Sequence, residues 1–143
     1  MIAVDTNILV YAHRRDSPFH SAANRAVREL AEGSASWALP WPCLHEFFAV
    51  VTNRRLFREP TPAEVALGQI AGWLESPTVR VLSEAPSHCA VLTELAHAAN
   101  IVGLQIHDAK IAAICLSYGV RELLTMDRDF SRYPSLNTRS LIA

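Results

Sequence analysis

The opening stretch Met1-Ile2-Ala3-Val4-Asp5-Thr6-Asn7-Ile8-Leu9-Val10-Tyr11-Ala12 changes character at one residue. Ile2 to Val4 is a short uncharged apolar run and reads as a buried strand. Asp5-Thr6-Asn7 turns the chain into a helix carrying the next apolar residues. A strand that feeds directly into a helix is the first half of a crossover connection, the link that parallel sheets require.

The rest of the chain repeats that alternation. Ser17-Pro18 signals a second helix, with Ser17 as N-cap and Pro18 at its first position. It carries Ala22, Ala23, Ala26, Val27 and Leu30 at helical spacing and stops near Gly33. Ser36 to Leu39 reads as a weak strand, and Pro42 opens a helix running past Glu46 to about Asn53. Thr61-Pro62 repeats the cap-plus-proline signal before a helix over Ala63 to Leu74. Val79 to Leu82 is a third strand, and Pro86 to Ala99 is an amphipathic helix. Asp108 to Tyr118 is the most apolar helix, with Gly119 as its terminating residue. Leu123 to Met126 is a fourth strand and Ser140 to Ile142 a short fifth. The expected fold is a three-layer α/β/α domain with a mainly parallel sheet of four or five strands, one domain over residues 1–143.

Composition narrows the class. The 143 residues are half apolar, with a formal net charge of −1. That balance excludes a simple basic coat for nucleic acid. No uncharged run reaches the roughly 18 residues of a membrane helix, and the first apolar run, broken by Asp5, does not resemble a signal peptide. Cys43, Cys89 and Cys115 are odd in number and lie in apolar contexts, so they read as reduced core thiols of a cytoplasmic protein. Lys110 is the sole lysine among 13 basic residues. The arginines suit phosphate recognition, although codon bias accounts for them equally well.

Four acids stand where bare charge is costly. Asp5 ends the first strand and Asp127 ends the fourth. Asp108 opens the most apolar helix, and Glu46 lies inside Cys43-Leu44-His45-Glu46-Phe47-Phe48-Ala49-Val50-Val51. Open parallel sheets gather functional groups outside the carboxyl ends of their strands, so the four are expected to line one pocket. Each has a separate local explanation: Asp108 and Asp5 as caps, Asp127 as a turn residue. Together they repel unless a cation joins them, and their hard oxygen donors favour Mg²⁺ or Mn²⁺ over zinc. Thr6, Asn7 and Thr125 are small polar neighbours that orient a ligand or satisfy turn backbone. Arg14 and Arg15 after the first helix, and Arg54, Arg55 and Arg58 after the Glu46 helix, are phosphate contacts or solvated helix ends. Phe19, Trp41, Phe47 and Phe48 serve a partner surface or the core.

In order along the chain, Val4-Asp5-Thr6-Asn7-Ile8-Leu9-Val10-Tyr11-Ala12, the helical Glu46-Phe47, His107-Asp108-Ala109-x-Ile111-Ala112-Ala113 and Leu124-Thr125-x-Asp127-x-Asp129-Phe130 resemble the motifs of PIN domains, specifically VapC-type toxins. The resemblance covers nearly the whole chain. It implies that Asp5, Glu46, Asp108 and Asp127 form an acidic catalytic quartet that binds metal, with Asp129 as an auxiliary ligand where some relatives carry Asn. It further implies a Mg²⁺-dependent endoribonuclease, with Mn²⁺ able to substitute. Such a protein forms a homodimer, is held inactive by a VapB-like antitoxin, and assembles with it into a heterotetramer or larger. The expected products carry 5′ phosphate and 3′ hydroxyl ends. The alternatives are an RNA-processing PIN nuclease without an antitoxin, or a phosphotransfer protein or phosphatase using Asp5. Against the latter, haloacid-dehalogenase-type phosphatases place a second Asp two residues after the nucleophile, where this chain has Asn7.

Overall fold

The computed structural model describes residues 1–142. Its order is β1 (Ile2–Val4), α1 (Thr6–His13), α2 (His20–Glu32), β2 (Trp37–Pro40), α3 (Trp41–Val51), α4 (Ala63–Leu74), β3 (Val79–Leu82), α5 (His88–Ala99), α6 (Ile106–Ser117), β4 (Glu122–Leu124) and β5 (Asn137–Arg139). Short 3₁₀ turns at Gly103–Gln105 and Arg128–Arg132 precede α6 and β5. All strand pairs are parallel, and the sheet order is β3-β2-β1-β4-β5. The expected parallel α/β/α architecture is what the chain adopts.

Burial explains which strands are central. All four residues of β2 are buried, as are Ala3 and Val4 of β1, because helices cover both faces. At the edge, β5 is exposed throughout. Helix α1 packs against both α2 and α3, and α3 against α4, whereas α5 pairs with α6. Helix α6 fills the core with Ala109, Ile111, Ala112, Ile114 and Cys115. Its C-terminus closes as expected: Gly119, at φ +73°, donates to Leu116 O at 3.1 Å and Val120 donates to Cys115 O at 2.9 Å. No helix among the described residues is long and apolar enough to cross a membrane.

Several boundaries differ from the expectation. Ser17 does not cap α2; its hydroxyl accepts from Phe19 N at 3.1 Å, closing a local turn that delays the helix to His20. Thr61 does not cap α4 either, since its hydroxyl contacts the Arg14 guanidinium at 3.3 Å and the His13 ring at 3.1 Å. Helix α5 starts at His88 rather than Pro86. Helix α6 starts two residues before Asp108, which therefore occupies the first turn instead of the N-cap.

Strand β4 ends at Leu124, and the fifth strand is Asn137–Arg139, not Ser140–Ile142. Backbone pairing decides the latter: Asn137 N donates to Arg121 O at 2.7 Å and Thr125 N to Arg139 O at 2.9 Å, with no apolar pattern to announce it. Cys43 and Cys115 are buried free thiols, but Cys89 is exposed because its position on α5 faces solvent. Phe47 is core, packed edge-on against Trp73 at 4.8 Å, whereas Trp41 is exposed.

Candidate active site

The sheet order reverses between β1 and β4, the switch point where open α/β sheets leave a crevice. Asp5 leaves β1 there, its N–H bonded to Leu124 O at 3.0 Å. Asp127 follows β4 after Thr125-Met126, Glu46 projects from α3, and Asp108 sits in the first turn of α6. All four line a cleft of about 380 Å³, together with Thr6 and Asn7; Val10, Tyr11, Leu56 and Phe57 contribute to its apolar walls.

Asp5 is the buried centre, 4% exposed. Its Oδ1 accepts from Thr6 N at 2.8 Å and lies 3.7 Å from the Cys43 thiol. Its Oδ2 accepts from the Thr125 hydroxyl at 2.7 Å and from Asn7 Nδ2 at 3.2 Å. Four donors thus surround a group with about four lone-pair sites. Burial nevertheless dominates and pushes the Asp5 carboxyl up to about 6, against the downward pull of the Thr125 and Thr6 bonds; Glu46 and Asp127 add repulsion.

Thr125 and Asn7 couple the two strand ends. The Thr125 hydroxyl accepts from Asp127 N at 3.0 Å while donating to Asp5, and Asn7 Oδ1 accepts from Met126 N at 3.1 Å. Asp127 Oδ1 in turn accepts from Asp129 N at 2.8 Å.

The outer acids form a tighter group. One carboxylate oxygen each from Asp108, Asp127 and Asp129 lies within 4.8 Å of the others. Asp108 is pushed up to about 6 by burial first and then by Asp127, Asp5 and Asp129. Glu46 stands on the exposed face of α3, and its carboxyl is raised by desolvation against the cleft and by Asp108. Converging hard oxygens that raise one another's pKa are compatible with a divalent metal site.

Sequence reading missed Tyr133, and it took Cys43 correctly as a core thiol without seeing that it lies against Asp5. Tyr133 is buried with its hydroxyl unpartnered in the protein, and its pKa is raised by burial, then by Asp108. No motif announces it, since it follows the last acidic motif in an irregular segment. The buried Thr6 hydroxyl is likewise unpartnered in the cleft wall.

The arginines separate into two kinds. Arg14 donates to both Asp16 carboxylate oxygens at 3.0 and 2.6 Å, to Glu59 O at 2.8 Å and to Thr61, and lies 4.0 Å over Phe57. It braces the loop after α3. Arg15, Arg54 and Arg55 are exposed, the latter two beside the cleft-lining Leu56 and Phe57.

The family model for the PIN domain matches residues 2–136. The chain belongs to the PIN-domain family. Within it the chain is of the VapC type. It is 35% identical to Ribonuclease VapC43 of Mycobacterium tuberculosis over 97% of this chain and 94% of that protein. It is 30% identical to Ribonuclease VapC48 of the same organism over 94% of this chain and 93% of that protein. Among solved structures, this PIN domain is similar to VapBC2 of Rickettsia felis bound to a promoter DNA fragment, with a TM-score of 0.71, 20% identity and 98% of each chain covered. It is also similar to M. tuberculosis VapC20, described as a Sarcin-Ricin loop cleaving toxin, with a TM-score of 0.66, 22% identity and coverage of 92% and 93%. At those identities the structural likeness is one of fold.

Proposed function

We propose that the chain is a Mg²⁺- or Mn²⁺-dependent endoribonuclease and the toxin of a toxin–antitoxin pair. The carrying observation is the convergence of Asp5, Glu46, Asp108 and Asp127 on one cleft in a chain 35% identical to a protein named a ribonuclease. Asp108, Asp127 and Asp129 would hold the cation, a reading supported by the spacing of their carboxylates. A divalent cation supplies Lewis-acid activation of water and neutralises charge on the phosphodiester.

The protein supplies orientation. Thr125, Thr6 and Asn7 hold Asp5 in one rotamer, so its negative charge backs the outer acids from a fixed position. Glu46, exposed on α3 and with its carboxyl raised by desolvation, would take a proton from attacking water at its carboxylate oxygen. Arg54 and Arg55, which precede the cleft-lining Leu56 in sequence, and the exposed Arg15 contact neighbouring phosphates. Strand scission then leaves 5′ phosphate and 3′ hydroxyl ends.

The domain acts in the cytoplasm as a homodimer, and a VapB-like antitoxin inhibits it by placing a basic side chain against the acids. Support comes from the likeness to VapBC complexes. Incubating purified tRNA and rRNA with the protein plus Mg²⁺, Mn²⁺ or chelator tests the activity. Metal-dependent cleavage with those ends is expected; cleavage that persists in chelator with cyclic phosphate ends would refute it.

A further inference from the structure

Beyond Glu46 the same sheet edge carries a second hollow, a groove of about 550 Å³ whose walls include Trp41, His45, Glu46, Ser83, Glu84 and Lys110. The topology that builds the acidic cleft builds this one. Helix α3 leaves the carboxyl end of β2 at Trp41, Ser83-Glu84 follows the carboxyl end of β3, and β2 lies between β1 and β3. Groove and cleft are therefore consecutive along one edge, with Glu46 lining both.

The groove has unusual chemistry for an exposed wall. Trp41 and His45, one helical turn apart, stack with ring centroids 5.6 Å apart and planes 24° from parallel. Trp41 is 37% exposed, whereas Trp37 and Trp73 are 0% and 8% exposed. An indole braced by a second ring and still open to solvent is the feature that stacks a base without demanding its identity. Lys110, the sole lysine, puts positive charge in the same groove, two residues along α6 from Asp108. Glu84 puts a pure acceptor there. Among bases, guanine presents adjacent N1–H and N2–H donors to a carboxylate, whereas adenine sets an acceptor nitrogen beside its amino group.

We propose that this groove is a nucleobase subsite: the base next to the cleaved linkage stacks on the Trp41–His45 pair, its phosphate pairs with Lys110, and Glu84 favours guanine. The assignment rests on the ribonuclease reading, and continuity with the acidic cleft through Glu46 is what selects RNA as the occupant.

The full-length protein carrying Asp108→Asn, used to keep RNA uncut, is titrated in Mg²⁺ with single-stranded tetraribonucleotides while tryptophan emission is followed. Affinity is measured separately by anisotropy of end-labelled RNA. Emission is expected to quench, because Trp41 is the exposed tryptophan. Adding Trp41→Ala should weaken binding about tenfold, the scale of one stacked base, and Trp41→Phe should stay close to the parent. Glu84→Gln should erase a preference for guanine over adenine. Mn²⁺ binding by the single Trp41→Ala variant should match wild type.

Unquenched emission together with unchanged affinity in Trp41→Ala would overturn the subsite. So would concentration-dependent dimerisation that buries Trp41 without RNA and is lost in Trp41→Ala, which would assign the groove to a second copy. The two readings fail separately. Wild-type protein that cleaves RNA with the same KM and cut sites as Trp41→Ala refutes the subsite alone. Quenching and Trp41-dependent binding without any cleavage by wild type refutes the nuclease and upholds the base site.

Discussion

Asp5 and the trio Asp108, Asp127 and Asp129 meet at one cleft, which Asp129 adjoins without lining, yet live under opposite conditions. Asp5 is closed off by burial and its two oxygens are already engaged by four neighbours. Asp108 and Asp127 are half-buried, Asp129 is exposed, and their oxygens face one another. Asp5 is consequently organised by the protein, whereas the trio is left for something else to organise. Thr125 links the two regions, gripping Asp5 and the Asp127 backbone with one hydroxyl.

The largest test of this contrast is Asp108→Asn. Losing an outer charge should cut RNA turnover by at least about 100-fold while circular dichroism stays native. Turnover within a few-fold of wild type would show that the trio is not where the metal is held.

Acidity probes the buried side. Asp5 titrates near 6 when folded against 3.8 ordinarily, so the folded state holds its proton more tightly than the unfolded chain does. Its contribution is therefore fully present below pH about 4 and is lost as pH rises through about 6, amounting to roughly 3 kcal/mol in the metal-free protein. Chelator-treated protein should show urea midpoints that fall across that window, and Asp5→Asn should remove part of the fall, leaving the share of Asp108, which is also pushed up to about 6. Excess Mn²⁺ should restore stability at pH 7, since binding requires deprotonated ligands. A metal-free profile that rises from pH 4 to 7 would contradict the buried assignment.

A smaller effect is expected at the joint between the two regions. Thr125→Val removes the hydroxyl that serves Asp5, Asn7 and Asp127, at a cost of about 1–3 kcal/mol in denaturant unfolding. Because that bond lowers the Asp5 pKa, the pH-dependent fall should also shift upward. An unshifted profile would mean that Thr125 packs without tuning Asp5. The smallest effect belongs to Asp129→Asn, which keeps one oxygen: Mn²⁺ affinity should drop by about tenfold or less, read by calorimetry. A loss equal to that of Asp108→Asn would make Asp129 a principal ligand.

The phosphatase alternative loses ground from the same geometry. Asn7 bridges Asp5 to the Met126 backbone, so it serves as a strut between strand ends.

Much of this arrangement was legible beforehand because it follows from local chemistry. An apolar triplet broken by Asp5 announces a strand end, helical periodicity marks α3 and α6, and Gly119 marks where α6 must stop. Those signals determine alternating strands and helices, hence a parallel sheet with acids at one edge. Boundaries set by competing hydrogen bonds were less legible: Ser17 and Thr61 look like caps, yet one closes its own turn and the other binds Arg14 and His13. Strand β5, polar and exposed, is recognised only through its pairing with β4.

By itself, then, the sequence determined the fold class, since periodicity and residue type are local properties, and the family motifs named the four acids to expect at the sheet edge. Tertiary structure decided which acid is sealed and which are open, that Arg14 braces a loop, and that Trp41 faces a groove beside the acids. Burial and convergence depend on residues far apart in the chain, such as Asp5 with Thr125, and no local pattern carries them.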